Sequence, residues 1–150
     1  MPIATKSSKY DISRESATAK ISKKISTIVK KGDVLFFYGV IGVGKTTFIR
    51  YLINSLQKKN QLKLTEVPSP TFNLLNEYEV KEFLIQHYDL FRLKNINEAK
   101  NIGLLENCNN VLTLVEWPEK IRKKPKNRIE LIFEYKSKLD QRILKINDFR

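Results

Sequence analysis

The stretch Val34-Leu35-Phe36-Phe37-Tyr38-Gly39-Val40-Ile41-Gly42-Val43-Gly44-Lys45-Thr46 decides the fold. Its first five residues are an unbroken apolar run, short, β-branched and aromatic, which reads as a buried parallel strand. Residues 39–46 match G-x-x-x-x-G-K-[ST] in full. After them Phe48, Ile49, Leu52, Ile53 and Leu56 recur at helical spacing. Strand, glycine loop and helix are the context in which that motif carries chemistry. The glycines let successive backbone N–H groups converge on phosphate oxygens, and the start of the helix adds its partial positive charge. Lys45 reaches the β- and γ-phosphates, and the Thr46 hydroxyl ligates Mg²⁺. The candidate contacts are Gly39, Ile41, Gly42, Val43, Gly44, Lys45, Thr46 and Thr47. They point to nucleoside-triphosphate binding and leave the reaction open.

Around this centre the chain alternates helical and strand patterns. Ala17, Ile21, Ile25, Ile28 and Val29 fall on one helical face. Ser13 is the expected N-cap, Gly32 the C-cap glycine, and Lys30 and Lys31 the cations at the helix C-terminus. Val67-Pro68-Ser69-Pro70 is irregular because its prolines fix the backbone and lack N–H donors. Residues 71–78 and 83–89 read as strands joined by a turn near Val80-Lys81-Glu82. Residues 95–105 read as a weak helix or a pair of turns. Val111-Leu112-Thr113-Leu114-Val115 is a second buried strand, ending in Glu116-Trp117-Pro118. Residues 120–126 form a basic loop. Ile129, Leu131, Phe133 and Tyr135 alternate, and residues 142–146 return as a hairpin partner. Interleaved strands and helices imply one α/β domain over residues 1–150: a P-loop fold with a mostly parallel central sheet flanked by helices and an antiparallel C-terminal hairpin.

A phosphate loop needs an acidic group beside the magnesium, at the end of a neighbouring buried strand. Glu116 is the leading candidate and Asp89 its rival. Strands in this role typically end in Asp, so Glu116 is a departure, with an arm long enough to reach a metal directly or through water.

Composition excludes several other classes. The 150 residues suit one domain and leave no room for a second, substrate-binding one. The 28 Lys and Arg outnumber the 16 Asp and Glu, giving +12 and implying polyanionic partners. The single Cys108 excludes an internal disulfide, and the single His87 excludes a multi-histidine metal site. No apolar run reaches the ~18 residues of a membrane span. Met1-Pro2-Ile3-Ala4-Thr5-Lys6 lacks the apolar segment of a secretory signal. The expectation is a cytoplasmic protein with no membrane association. His87 in an apolar strand reads as a hydrogen-bonded core residue, and Cys108 as an inert small side chain. Trp117 reads equally as a core-edge plug or as a nucleotide or partner contact.

The ordered set of Walker loop, Pro68-Ser69-Pro70-Thr71-Phe72, His87-Tyr88-Asp89-Leu90-Phe91-Arg92-Leu93 and Leu114-Val115-Glu116-Trp117-Pro118-Glu119 resembles the TsaE (YjeE-type) ATPases of bacterial tRNA threonylcarbamoyladenosine synthesis. The resemblance runs from about Ser13 to the C-terminal hairpin. It implies that Lys45 and Thr46 hold ATP phosphates and Mg²⁺, that Glu116 is the second magnesium ligand, and that Asp89 is a catalytic acidic residue near the γ-phosphate. It places Thr71 on a switch-like segment facing the phosphates, Trp117 beside the nucleotide, and Glu15 near the base. A C-terminal arginine also lies near the nucleotide in that family. Arg142 is the nearest match, although residues 137–141 before it depart in length. The implied activity is slow Mg²⁺-dependent ATP hydrolysis supporting a threonylcarbamoyl-transferase complex of TsaD and TsaB, with tRNA contacted indirectly. Two other classes stay open: a small-molecule kinase, which would need a lid and an acceptor pocket, and a basic RNA-binding module, which would not need an intact Walker loop.

Overall fold

The computed structural model describes residues 7–106 and 108–150. The N-terminal residues read above as lacking a secretory signal lie outside the described part. In chain order the elements are β1 (Ser7–Asp11), α1 (Glu15–Ser26), β2 (Val34–Tyr38), α2 (Lys45–Lys59), β3 (Leu75–Val80), β4 (Phe83–Asp89), α3 (Asn97–Asn101), β5 (Val111–Glu116), β6 (Ile129–Tyr135) and β7 (Arg142–Asp148). The strands form one seven-stranded sheet in the order β1-β7-β6-β2-β5-β4-β3. Its centre is parallel: β2 pairs in parallel with both β5 and β6, and β4 with β5. Both flanks are antiparallel, through β3–β4 on one side and β6–β7–β1 on the other. The antiparallel part is therefore larger than the C-terminal hairpin alone.

The unbroken apolar runs occupy the middle, where both sheet faces are covered. Leu35, Phe37, Leu112, Leu114 and Ile129 pack on one face against Ile21 and Ile25 of α1 and Phe48, Ile49 and Leu52 of α2. Val34, Phe36, Tyr88 and Val115 pack on the other face with Ala99 of α3 and Leu90, Leu93 and Leu104. Among the described residues, no helix is long and apolar enough to cross a membrane.

Four local expectations are corrected. Ser13 does not cap α1. Arg14 occupies the N-cap in an extended conformation, and Ser13 Oγ instead accepts the Arg142 backbone N–H at 3.0 Å. Second, the helix ends at Ser26, short of Ile28 and Val29. In its last turns the Ser22 and Ser26 hydroxyls, followed by that of the C-cap Thr27, donate to carbonyls three residues back, which competes with helix continuation. Third, Gly32 is accordingly not a C-cap glycine; it turns into β2 at φ +98° with its N–H on the Val111 carbonyl. Lys30 and Lys31 lie beyond the helix, whose last turn carries Lys23 and Lys24. Fourth, the strand expected from Thr71 starts at Leu75. Leu74 sits at φ +65° and donates its N–H to the Pro70 carbonyl, closing residues 70–74 into a turn. β1 was not foreseen: Ser7-Ser8-Lys9-Tyr10-Asp11 is an edge strand without apolar alternation.

Candidate functional site

The glycine loop leaves β2 at the C-terminal edge of the parallel strands, where α/β folds place their ligand crevices. Gly39 turns at φ +147°, where a Cβ would come within 2.9 Å of the Phe133 carbonyl oxygen, so only glycine fits beside β6. Gly44 caps α2 at φ +117° with no side-chain hydrogen bond, and the first turn of α2 holds no acidic residue. The unpaired N–H groups at the start of this 15-residue helix are therefore left for an anion.

The loop opens on a cleft of about 390 Å³ lined by residues from five segments of the chain. Ile41, Gly42, Gly44, Lys45, Thr46 and Thr47 come from the loop and α2. Ser69 and Thr71 come from the proline-flanked turn, Asp89 and Phe91 from the end of β4, and Glu116 and Trp117 from the end of β5. Arg142 completes the wall from β7. Gly39 and Val43 shape the loop without lining the cleft. Glu15 is not brought there: it stands exposed at the start of α1, accepting from Tyr51 Oη at 2.6 Å beside Arg50.

Asp89 and Glu116 end adjacent parallel strands in direct register. Thr46 Oγ1 donates to Glu116 Oε1 at 2.9 Å and lies 3.2 Å from Oε2. Glu116 Oε2 is also 2.7 Å from His87 Nε2. Asp89 has a different set of partners. Its Oδ2 accepts from Ser69 Oγ at 2.6 Å and Thr71 Oγ1 at 3.3 Å, and its Oδ1 accepts the Phe91 N–H at 3.0 Å. The structure thus separates the two strand-end carboxylates: Glu116 joins the α2 hydroxyl, and Asp89 holds the proline-flanked turn.

Lys45 is buried to 4% exposure; its Nζ donates to the Gly39 carbonyl and lies 3.8 Å from the centre of the Trp117 ring. Burial holds its ammonium below the usual lysine range, against the opposing pull of Glu116, Asp89 and Glu119. An incoming polyanion would relieve this, because it supplies charge where water has been removed. Trp117 sits in the left-handed region at φ +60° and packs against Phe91 at 4.9 Å between centroids, the rings tilted by 41°. Arg142 donates to the Val43 carbonyl at 3.3 Å. Tyr135 Oη donates to the Gly42 carbonyl at 3.1 Å, so the C-terminal hairpin braces the loop from behind. Arg92 instead lies 4.5 Å from the Phe72 ring, outside the cleft wall.

The donor set fits a nucleotide with magnesium. One hydroxyl and one carboxylate, both hard oxygens, stand together at the start of α2, and Mg²⁺ is usually held by one or two carboxylates plus substrate phosphates. Thr46 and Glu116 would hold the ion; Lys45 and the loop N–H groups would hold the phosphates. Sequence reasoning missed Ser69, Phe91 and Tyr135 as parts of this site. Nothing local in the sequence ties Ser69 to a carboxylate 20 residues on.

The family profile described as "Threonylcarbamoyl adenosine biosynthesis protein TsaE" matches residues 12–144. Proteins named tRNA threonylcarbamoyladenosine biosynthesis protein TsaE are similar to this chain. That of Rickettsia felis is 39% identical over 111 residues, covering 74% of this chain and 63% of the relative. That of Aquifex aeolicus is 35% identical over 128 residues, covering 83% and 88%. The chain thus spans less than two thirds of the Rickettsia felis relative and 62% of the Rickettsia conorii one. The crystal structure of YdiB from Bacillus subtilis superposes with a TM-score of 0.75 at 24% identity, covering 97% of this chain and 87% of that one, and shares the fold.

Proposed function

This chain belongs to the TsaE family, and from that premise we propose that it is a Mg²⁺-dependent ATPase serving threonylcarbamoyladenosine synthesis on tRNA. It binds ATP in the cleft, hydrolyses it slowly alone, and acts with TsaD- and TsaB-type proteins that carry out the transfer. The observation that carries this reading is the convergence of Lys45, Thr46, Glu116 and Asp89 on one cleft at the glycine loop.

Each side chain has a task. The loop N–H groups and Lys45 bind and orient the phosphates. Thr46 and Glu116 supply oxygen ligands for magnesium, which when bound neutralises charge on the β- and γ-phosphate oxygens. Asp89 orients the attacking water, and Ser69 and Thr71 tie the turn of residues 68–72 to the same carboxylate. That segment carries Phe72, 83% exposed, next in sequence to the cleft-lining Thr71, and Ile41 and Phe91 of the cleft rim are exposed as well. A docked partner covering this rim would exclude water and fix the turn, so hydrolysis would report on assembly. The surplus of cations would speed docking on an acidic partner face and make it salt-sensitive.

Steady-state ATP hydrolysis, measured for the chain alone and with the TsaB–TsaD pair at low and moderate salt, tests this. Slow turnover that the pair accelerates supports the proposal. Fast turnover by the isolated chain, or no response to the pair, refutes partner completion of the site.

A further inference from the structure

The buried face of the sheet holds a polar side chain that the tasks above do not use, His87. His87 and Asp89 lie two residues apart on β4, so both side chains point to the same face, toward α2. His87 is fully buried, and its Nε2 lies 2.7 Å from Glu116 Oε2. Its Nδ1 is also buried and has no hydrogen-bond partner among the described residues.

We propose that His87 is a positioning residue that fixes the Glu116 carboxylate for its metal. The inference rests on the reading of Glu116 as a magnesium ligand. A hydrogen on Nδ1 would be a buried donor without an acceptor, and would leave the Nε2 lone pair facing a carboxylate oxygen. The tautomer with hydrogen on Nε2 removes both conflicts and makes His87 the donor. Glu116 is then held on two sides, by His87 at Oε2 and by Thr46 at Oε1, 2.9 Å away.

This accounts for the glutamate at a strand end where aspartate is usual in phosphate-loop proteins. Glutamate has one more torsion than aspartate and a wider range of oxygen positions. The imidazole takes one oxygen and narrows that range, which leaves Oε1 facing the Thr46 hydroxyl. Outer hydrogen bonds of this kind orient metal ligands, and their loss costs roughly 10–100-fold in metal affinity.

His87 is the only histidine of the chain, so its imidazole gives a single spin system. A long-range ¹⁵N–¹H correlation spectrum of the wild-type protein should show the Nε2–H tautomer; the Nδ1–H tautomer overturns the proposal. The second measurement is a magnesium titration of fluorescent ATP analogue binding, with EDTA controls, on wild type, His87→Phe and His87→Gln. His87→Phe should need about 10–100-fold more magnesium with metal-free nucleotide affinity unchanged, and His87→Gln, which keeps an N–H donor, should recover part of the loss. A folded His87→Phe protein with an unchanged magnesium requirement overturns the proposal, as does an equal loss with and without metal. If His87→Phe does not fold, the tautomer and His87→Gln still decide. Wild-type protein that binds no nucleotide under any condition instead refutes the underlying ATPase reading, a distinct outcome.

Discussion

Thr46 Oγ1 and Glu116 Oε1 stand 2.9 Å apart although 70 residues separate them in the chain. The contact joins the first turn of α2 to the end of β5. It exists because β2, which feeds the glycine loop, pairs directly with β5 and sets Phe37 opposite Glu116. Two oxygen donors of different chemistry thereby meet at the positive end of a helix.

Replacing Glu116 with Gln should separate metal from nucleotide. An amide oxygen is a poorer ligand for a hard cation than a carboxylate. Magnesium-dependent affinity should fall while metal-free nucleotide affinity stays nearly constant. Asp89→Asn should show the reverse emphasis, sparing binding and slowing hydrolysis. Nucleotide titrations with magnesium and with EDTA, paired with single-turnover hydrolysis, distinguish them. Loss of magnesium affinity in Asp89→Asn alone would exchange the two roles.

Lys45→Ala should lower ATP affinity by roughly 10–150-fold, the range for losing a charged hydrogen bond of about 1.5–3 kcal/mol. The fold should persist, because Lys45 Nζ faces the cleft, where it bonds the Gly39 carbonyl and lies over the Trp117 ring, rather than the apolar core. Fluorescent nucleotide titration and a thermal melt check both parts.

Ser69→Ala should loosen the segment of residues 68–74 without unfolding the protein. Ser69 Oγ makes the shortest of the three hydrogen bonds to the Asp89 carboxylate, at 2.6 Å. A stability loss of about 1–1.5 kcal/mol is expected, with faster amide exchange confined to the Leu74 N–H that closes residues 70–74 on the Pro70 carbonyl. Global acceleration of exchange would contradict the local role.

Arg150→Ala should destabilise the edge of the sheet opposite the cleft. Its guanidinium bonds Asp33 at 3.0 Å and Asp148 at 2.7 Å, and donates to the Ile28 carbonyl. Burial pushes the Asp148 carboxyl up, but hydrogen bonds and charge from Arg150 outweigh it and hold the group below its ordinary value. The stabilisation linked to Asp148 is thus present above the unfolded carboxylate value, ~3.9. It is lost as pH falls through the lower folded value. Near neutral pH a loss of about 1–3 kcal/mol is expected, and the gap to wild type should narrow in acid. Urea denaturation across that range measures it.

Much of this was legible in the sequence because the central elements are written in strong local patterns. Apolar runs marked β2 and β5, a complete motif marked the loop, and alternation marked β6. What was not legible depends on distant partners. Ser13 looks like a cap until Arg142, 129 residues on, takes its hydroxyl. Residues 7–11 pair at the sheet edge through backbone hydrogen bonds to β7, which apolar periodicity does not encode. Thr71 and Phe72 look strand-like, yet the left-handed Leu74 closes them into a turn that puts Thr71 on Asp89. Asp89 and Glu116 were both visible as candidates, but their division of labour lies in hydrogen bonds that sequence does not show.

The most direct test is an amide chemical-shift map of the ¹⁵N-labelled protein titrated with a slowly hydrolysed ATP analogue and magnesium. Saturable shifts are expected, centred on residues 39–47, 69–71, 89–91, 116–117 and 142, the segments that line or shape the cleft. No saturable shift, or shifts confined to the basic residues 120–126 with the glycine loop unmoved, would contradict the proposed site.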